Sequence, residues 1–517
     1  MSFTKQQTYR FSEAPIWDMQ RSYYEEQGIS AWQRDEVPHY ITNNPRIGAA
    51  YAEIIFGFLQ DRAKLGYGSE PVMILELGAG SGRLASHVLN ELDELKACAG
   101  LKLPSYRYVM SDLAAKNLDY WKQHPQLCSF QKQGILDFAQ FDAVQDAELY
   151  LTQSGECIRP ADLKQPLLVI ANYFFDSIPQ ELLYIDEGLV YECDVTMQIP
   201  SNETSLTPSE LLSQVNLAYQ YRRAAEYEQA AYPYRSVIRQ YQQELEDSHV
   251  LFPVVGLECL ERLNALSQEG FLLLTADKGD HRLENWKYAE APDLIGHGSF
   301  SLEANYHAIG HVYEQSGAEV LFTDHRYKQI NVGCILMLTD PASYSHTRLA
   351  YRRFINRFGP DDFFSLKKWL DEHLNQMELS QLLAFWRLGH YDAEFFLQCR
   401  ERISELLPAA GEEDANAIRI GIRQMWQSYY PMEGSRDLAM ECAELLYEME
   451  AFEDALEFYE RSSRKSGACT ADTSALYHMA ICCYETGNEE EAKGYSLKVL
   501  AQDPEHEGAA SLCLLLQ

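Results

Sequence analysis

Glu76-Leu77-Gly78-Ala79-Gly80-Ser81-Gly82 has the form E-x-G-x-G-x-G. Glycines at alternate positions let a chain turn sharply and let its backbone approach a ligand with no Cβ in the way. A helix opening at such a turn adds free N–H groups and a partial positive charge. Dinucleotide folds place the third glycine one position later, G-x-G-x-x-G, to seat a pyrophosphate. The tighter spacing favours S-adenosylmethionine, whose amino-acid end has a carboxylate but no phosphate. Glu76, Gly78, Ala79, Gly80 and Gly82 are the residues expected around it.

Asp112 follows the apolar run YRYVM, with Leu113 beside it. A carboxylate at the tip of a second strand can accept both ribose hydroxyls. It can equally cap a helix starting near Ala114, and the two roles can coexist. Asp137 follows Gly134-Ile135-Leu136, where a third strand should end; it either reaches the adenine amine or is an ordinary loop aspartate. Asn172-Tyr173-Phe174-Phe175-Asp176-Ser177-Ile178-Pro179 follows the run LLVIAN and should face the transferred methyl group. Asn172 can orient the methionine end or a substrate nitrogen, and Tyr173 and Phe174 join the cofactor set. Phe174 and Phe175 either exclude water or belong to the core. Asp176 has the clearest route to a substrate donor, its bland alternative being a helix N-cap. His281, His297 and His307 are candidate bases or structural histidines.

These residues need a parallel sheet to bring them together. VMILEL (72–77), YRYVM (106–110), LLVIAN (167–172) and FLLLTADKG (271–279) are short apolar runs alternating with helical stretches, the mark of βαβ units. AEVLFT (318–323) and INVGCILML (330–338) suggest a terminal antiparallel pair. With a weak third strand before Asp137, seven strands result, the Rossmann-like α/β sheet of class I methyltransferases. LLYI and LVYE flank Asp186-Glu187-Gly188 as a hairpin. Residues 1–65 read as a helical leading segment, with Ile47, Tyr51, Ile54, Ile55 and Phe58 on one face. The sheet domain is expected over 66–340, with a polar, Tyr- and Gln-rich helical insertion at about 196–248. Residues 341–517 read as all-helical: Ala443, Tyr447 and Ala455 recur 37 positions later as Ala480, Tyr484 and Ala492, which resembles tetratricopeptide repeats.

Composition narrows the partners. The 517 residues are 46% apolar and 12% aromatic, with a formal net charge of -34. An acidic surface gains nothing from nucleic-acid phosphate and suits a basic peptide or protein. Twelve cysteines without a C-x-x-C pair, and no zinc-like His/Cys spacing, point to no metal and to a reducing, cytoplasmic compartment. Cys482 and Cys483 read as core residues. MSFTKQQTYRFSEAP has no apolar leader segment, and no run of about 18 apolar residues exists for a membrane.

The run from Asn172 to Pro179 resembles N-E-F-F-D-A-L-P of the MidA-like methyltransferases, the family that includes the mitochondrial complex I assembly methyltransferase. Tyr40-Ile41-Thr42-Asn43-Asn44-Pro45 resembles that family's F-x-T-x-P-E segment. Leu274-Thr275-Ala276-Asp277-Lys278-Gly279 resembles its I-D-Y-G strand end, and His297-Gly298-Ser299-Phe300 a later segment. The resemblance covers roughly residues 15–340. It implies methylation of a protein side chain, with arginine the known case, giving symmetric ω-dimethylarginine. An arginine acceptor needs carboxylates to grip the guanidinium fork. The family's glutamate is Tyr173 here, which leaves Asp176, with Glu181 or Glu192 as substitutes.

Three functions are open at this level. The first is a protein or peptide methyltransferase whose repeats dock the substrate chain. The second is a small-molecule N- or O-methyltransferase whose C-terminal helices form a homodimer. The third is a non-catalytic scaffold that binds the cofactor, which the intact glycines and Asp112 disfavour.

Overall fold

The computed structural model describes residues 7–33, 40–67, 69–198, 206–292, 294–297, 299–432, 434, 436–465 and 472–516. They divide into two compact units, Met1–Leu366 and Lys367–Gln517.

A seven-stranded sheet organises the first unit. Its strands are β1 (Val72–Leu77), β2 (Tyr106–Asp112), β3 (Leu136–Gln140), β4 (Leu167–Asn172), β5 (Gly270–Asp277), β6 (Glu319–Leu321) and β7 (Asn331–Leu338). Their spatial order is β6-β7-β5-β4-β1-β2-β3. β1 to β5 are parallel, and β7 runs antiparallel to β5 and β6. This is the expected α/β sheet. All six residues of β1 are buried, because helices cover both faces of a parallel sheet. The chain steps outward through β2 and β3, then returns to the other side of β1 for β4. That reversal leaves a crevice at the carboxyl ends of β1 and β4, where ligands bind in open α/β sheets.

The helix Pro45–Lys64 carries the predicted apolar face: Ile47, Tyr51, Ile54, Ile55 and Phe58 are fully buried. Far more of it is buried than one face, because it packs against both Arg83–Ala99 and Ser345–Tyr351. At Gly57 an added Cβ would lie 2.9 Å from the His346 backbone, so only glycine permits this approach. Asp61, fully buried on the same helix, caps the start of Ser345–Tyr351. Its carboxylate accepts from the backbone N–H of His346 (3.1 Å) and Thr347 (2.9 Å), from the Thr347 hydroxyl (2.9 Å) and from His346 Nδ1 (2.6 Å). These bonds hold residues beyond the expected limit at 340 within the first unit, which extends to Leu366.

The hairpin forms as expected, from Glu181–Asp186 and Leu189–Gln198. Glu187 and Gly188 have φ of +46° and +72°, the pair of positive values that a tight primed turn requires. The segment 196–248, expected to be helical, contains the strand Asn216–Arg223, which pairs with Leu189–Gln198. Its Leu217, Tyr219 and Tyr221 alternate with Asn216, Ala218, Gln220 and Arg222, a period of two that polar composition obscured. Ser248–Phe252 and Thr8–Tyr9 complete this second, five-stranded sheet.

In the second unit, Leu438–Glu448 packs on Phe452–Lys465 and Thr473–Glu485 on Glu489–Gln502. Ala443, Ala455, Ala480 and Ala492 are fully buried, as close helix pairs demand. Among the described residues all cysteines are free, no cluster of three metal-ligating side chains occurs, and no helix is long and apolar enough to cross a membrane.

Replacing Asp61 with alanine would leave four donors without their acceptor, the two from Thr347 fully buried, and a loss of about 3 kcal/mol is expected. Urea denaturation of the full chain measures it; a change under about 0.5 kcal/mol would show that the cap does not anchor these helices.

Candidate functional site

The crevice holds a cavity of about 390 Å³. On one side stand Glu76, Gly78, Ala79 and Gly80 from the β1 turn, with Asp112, Leu113, Asn172, Tyr173, Phe174 and Asp176 from the tips of β2 and β4. Ser12, Trp17, Tyr24, Trp32 and Asn43 of the leading segment also line the cavity.

Gly78, Gly80 and Gly82 adopt φ of +60°, +52° and +78°, a left-handed path that other residues enter at a cost. A Cβ on Gly80 would also come within 3.0 Å of the Trp32 ring. The Gly80 N–H donates to Asp112 Oδ2 at 3.0 Å, and the Trp121 indole N–H donates to the Gly80 carbonyl at 3.0 Å. The other Asp112 oxygen accepts the Ala114 N–H at 3.0 Å. Asp112 thus holds both the turn and the start of the next helix while facing the cavity. Burial pushes its carboxyl up, opposed by hydrogen bonds from backbone N–H groups and Asn117. Gly82 sits behind the cavity wall as the N-cap of Arg83–Ala99.

Glu76 is buried and accepts the Tyr108 hydroxyl at 2.8 Å. Burial pushes its carboxyl up to about 8. Asn172 is oriented from the leading segment: its Oδ1 accepts the Tyr51 hydroxyl at 2.7 Å, and its amide donates to the Thr42 carbonyl at 3.2 Å. The group it can offer a ligand is the second amide N–H, which suits a carboxylate. Tyr51 was legible only as one position on an apolar helix face. Tyr173 holds φ of +48°, and its N–H donates to the Ala276 carbonyl at 2.9 Å. Phe174 lines the cavity; Phe175 lies in the core against Tyr306. Asp176 is 3% exposed, and its Oδ1 has no hydrogen-bond partner. Burial pushes its carboxyl up to about 7, against hydrogen bonding to Asp277 and the nearby Lys278 charge.

Five candidate positions, Asp137, Glu181, Glu192, His281 and His307, lie elsewhere. Asp137 is near the start of β3, which runs on to Gln140, so its carboxylate instead accepts the N–H groups of Phe138, Gln153 and Ser154 at 2.7, 2.9 and 3.1 Å. Asp142, just past the strand, occupies the cavity wall and is paired with Arg21 at 2.7 Å. Glu181 and Glu192 lie in the second sheet and hold Arg10, at 2.9 and 2.7 Å. Ser12 also donates to Glu181 at 2.8 Å, placing the strap 8–14 between that carboxylate and the cavity. His281 and His307 line a different cavity of about 430 Å³. Gly298 and the His297 side chain lie outside the described residues.

Residues 57–285 match the model of a family described as "Putative S-adenosyl-L-methionine-dependent methyltransferase". Two solved structures from Burkholderia thailandensis are similar in part. One is a native superfamily protein with 14% identity, covering 61% of this chain and 73% of that one at a TM-score of 0.37. The other, of the same superfamily and bound to S-adenosyl-homocysteine, has 16% identity, covering 61% and 74% at a TM-score of 0.40. No curated protein matches the chain. The matched region is the methyltransferase part of an S-adenosylmethionine-dependent enzyme, and its glycine turn, Glu76, Asp112 and Asn172 fit that cofactor.

A cation set against Glu76 would draw off its proton, so cofactor affinity should rise with pH up to about 8, where the free carboxyl ionises unaided. The limiting slope for one released proton is about tenfold per unit. Calorimetric titration in buffers of different ionisation enthalpy should detect the proton, and Glu76→Gln should flatten the slope. An identical slope in that variant would remove Glu76 from the linkage.

Proposed function

We propose that the enzyme methylates a basic nitrogen on a protein or peptide side chain, an arginine nitrogen included, with Asp176 receiving the acceptor's proton. The observation that carries this reading is the placement of Asp176: a buried carboxyl on the cavity wall, poised near neutrality, with one oxygen unpartnered. When bound, S-adenosylmethionine supplies an electrophilic methyl group on a sulfonium. The chain's task is then to bind, align and take a proton.

The charge balance of the wall supports a cationic acceptor. Among the described residues, Glu13, Asp18, Glu76, Asp112, Asp142 and Asp176 line the cavity together with Lys278 and with Arg21, which is already paired with Asp142. Desolvated carboxyls grip guanidinium or ammonium groups through charge-assisted hydrogen bonds. Asn172 and the β1 turn fix the amino-acid end of the cofactor, and Asp112 the ribose, leaving Asp176 for the acceptor. Trp17, Trp32 and Phe174 exclude water, which strengthens each of these interactions. The paired helices of the second unit have the form of modules that hold peptides, which supports a protein substrate over a metabolite.

Incubation with methyl-labelled cofactor and total lysate, followed by separation of protein from small molecules, tests the reading. Label should appear on protein and map to basic side chains. Asp176→Asn should lower transfer about 100-fold or more, with cofactor affinity changed by only a few fold. Label confined to small molecules would overturn the protein substrate, and full activity in the variant would overturn the role of Asp176.

A further inference from the structure

Asp176 does not stand alone. Asp277, at the tip of β5, is fully buried, and its carboxyl lies within hydrogen-bond reach of the Asp176 carboxyl. Two ionised carboxylates have only acceptors to offer, so such a contact in a desolvated pocket requires a proton between them. Asp277 is itself fixed by the backbone. Its Oδ2 accepts the N–H groups of Phe175 (3.0 Å) and Asp176 (3.2 Å), and its Oδ1 accepts that of Lys278 (3.0 Å). Those three bonds tie the β5 tip to the loop after β4 and fix where Asp176 points. The family-like strand end around Asp277 was noted in the sequence, but no task fell to it.

We propose that Asp277 is a positioning residue that shares one proton with Asp176, so that the two carboxyls act as a single acceptor during methyl transfer. This rests on the reading of Asp176 given above. In the resting site the pair carries one proton and one negative charge. As the nitrogen–carbon bond forms and the carbon–sulfur bond breaks, sulfur keeps the bonding electrons and the acceptor's proton passes to Asp176. The pair then holds two protons and no charge, and losing one to solvent resets it.

The groups around the pair are few. Lys278 beside Asp176 stabilises the negative charge. Tyr24 and Tyr173 face Asp176, and Tyr51 and Tyr306 face Asp277; burial keeps all four phenols protonated. Burial pushes Asp277 up, as does the neighbouring Asp176 charge, whereas Asp176 stays near 7. Such carboxyls titrate as a unit. The sign follows: activity should fall as pH drops below about 7, because the doubly protonated pair cannot accept.

The experiment is a pH titration of the full chain labelled with 13C at aspartate side-chain carboxyls, with Asp176→Asn and Asp277→Asn identifying the two signals. In the unmodified protein both signals should move together in one step near neutrality. The amide at 277 carries no proton to share, and the Asp277 hydrogen bond favours ionised Asp176, so in Asp277→Asn the Asp176 midpoint should rise by about one unit or more. The acid limb of the rate profile for labelled-methyl transfer into lysate protein should move up with it. Independent titration at ordinary carboxylate values, or an unmoved Asp176 midpoint in Asp277→Asn, would overturn the shared proton. Should Asp277→Asn fail to fold, Asp176→Asn provides the reciprocal test, since the Asp277 midpoint must then fall. Full activity in Asp176→Asn would instead defeat the base assignment and leave the titration result standing.

Discussion

The shape of the crevice depends on the hydrogen bond from the Gly80 N–H to the Asp112 carboxylate. With the bond from the Ala79 N–H to the Ser111 carbonyl at 2.9 Å, it joins the turn after β1 to the tip of β2. A buried bond of this kind to a charged acceptor contributes about 1.5–3 kcal/mol. Its larger consequence is geometric. With Gly80 pinned in front by Asp112 and behind by Trp121, the glycine turn can face a ligand without rearranging. Trp32, stacked on Tyr24 at 6.0 Å, then fits against Gly80. A side chain at position 80 would break the wall and strain the turn together.

Around that frame the electrostatics lean one way. Among the described residues six carboxyl groups and two cationic groups line the cavity, and burial raises Glu76 and Asp176 enough to hold protons near neutral pH. The two are therefore reserves of negative charge that a cationic ligand can call up. This arrangement avoids the cost of several unpaired buried anions, yet it answers a sulfonium, an ammonium or a basic acceptor with charge when one arrives. Lys278 sets the limit, since it already stabilises one charge near Asp176.

What the sequence revealed and what it hid divide by range. The β1 strand with its turn and the Asp186-Glu187-Gly188 hairpin each announce themselves within a dozen residues, through short apolar runs and glycines at the turns, and the β6–β7 pair does so between Glu319 and Leu338. Asp112 and Asp176 could be placed because each follows an apolar run at a strand tip. Asp137 misled because the strand it interrupts continues to Gln140, moving the tip to Asp142. The strand Asn216–Arg223 was hidden by its half-exposed, polar surroundings. Tyr51 and Asp277 act through partners 121 and 101 positions away. No local pattern encodes such a pairing; only the folded sheet does.

The two glutamates that a sequence reading would offer to a guanidinium show why burial must be followed to its partner. Glu181 and Glu192 are there, both buried, and they do bind a guanidinium, but it belongs to Arg10. Tyr227 donates to Glu192 at 3.0 Å and Arg222 pairs with it as well. The strand Thr8–Tyr9 adds to Leu189–Gln198 just before Arg10, and Ser12 then lines the cavity. The strap is held by its backbone on one side of the arginine and forms wall on the other. An incoming basic side chain would have to displace this whole network to reach either glutamate. Asp176 is held by no such network of ion pairs: it lines the cavity, and one of its oxygens has no hydrogen-bond partner. That difference is why the proposed acceptor site rests on Asp176 and Asp277, while the glutamates hold Arg10 and Ser12 of the strap.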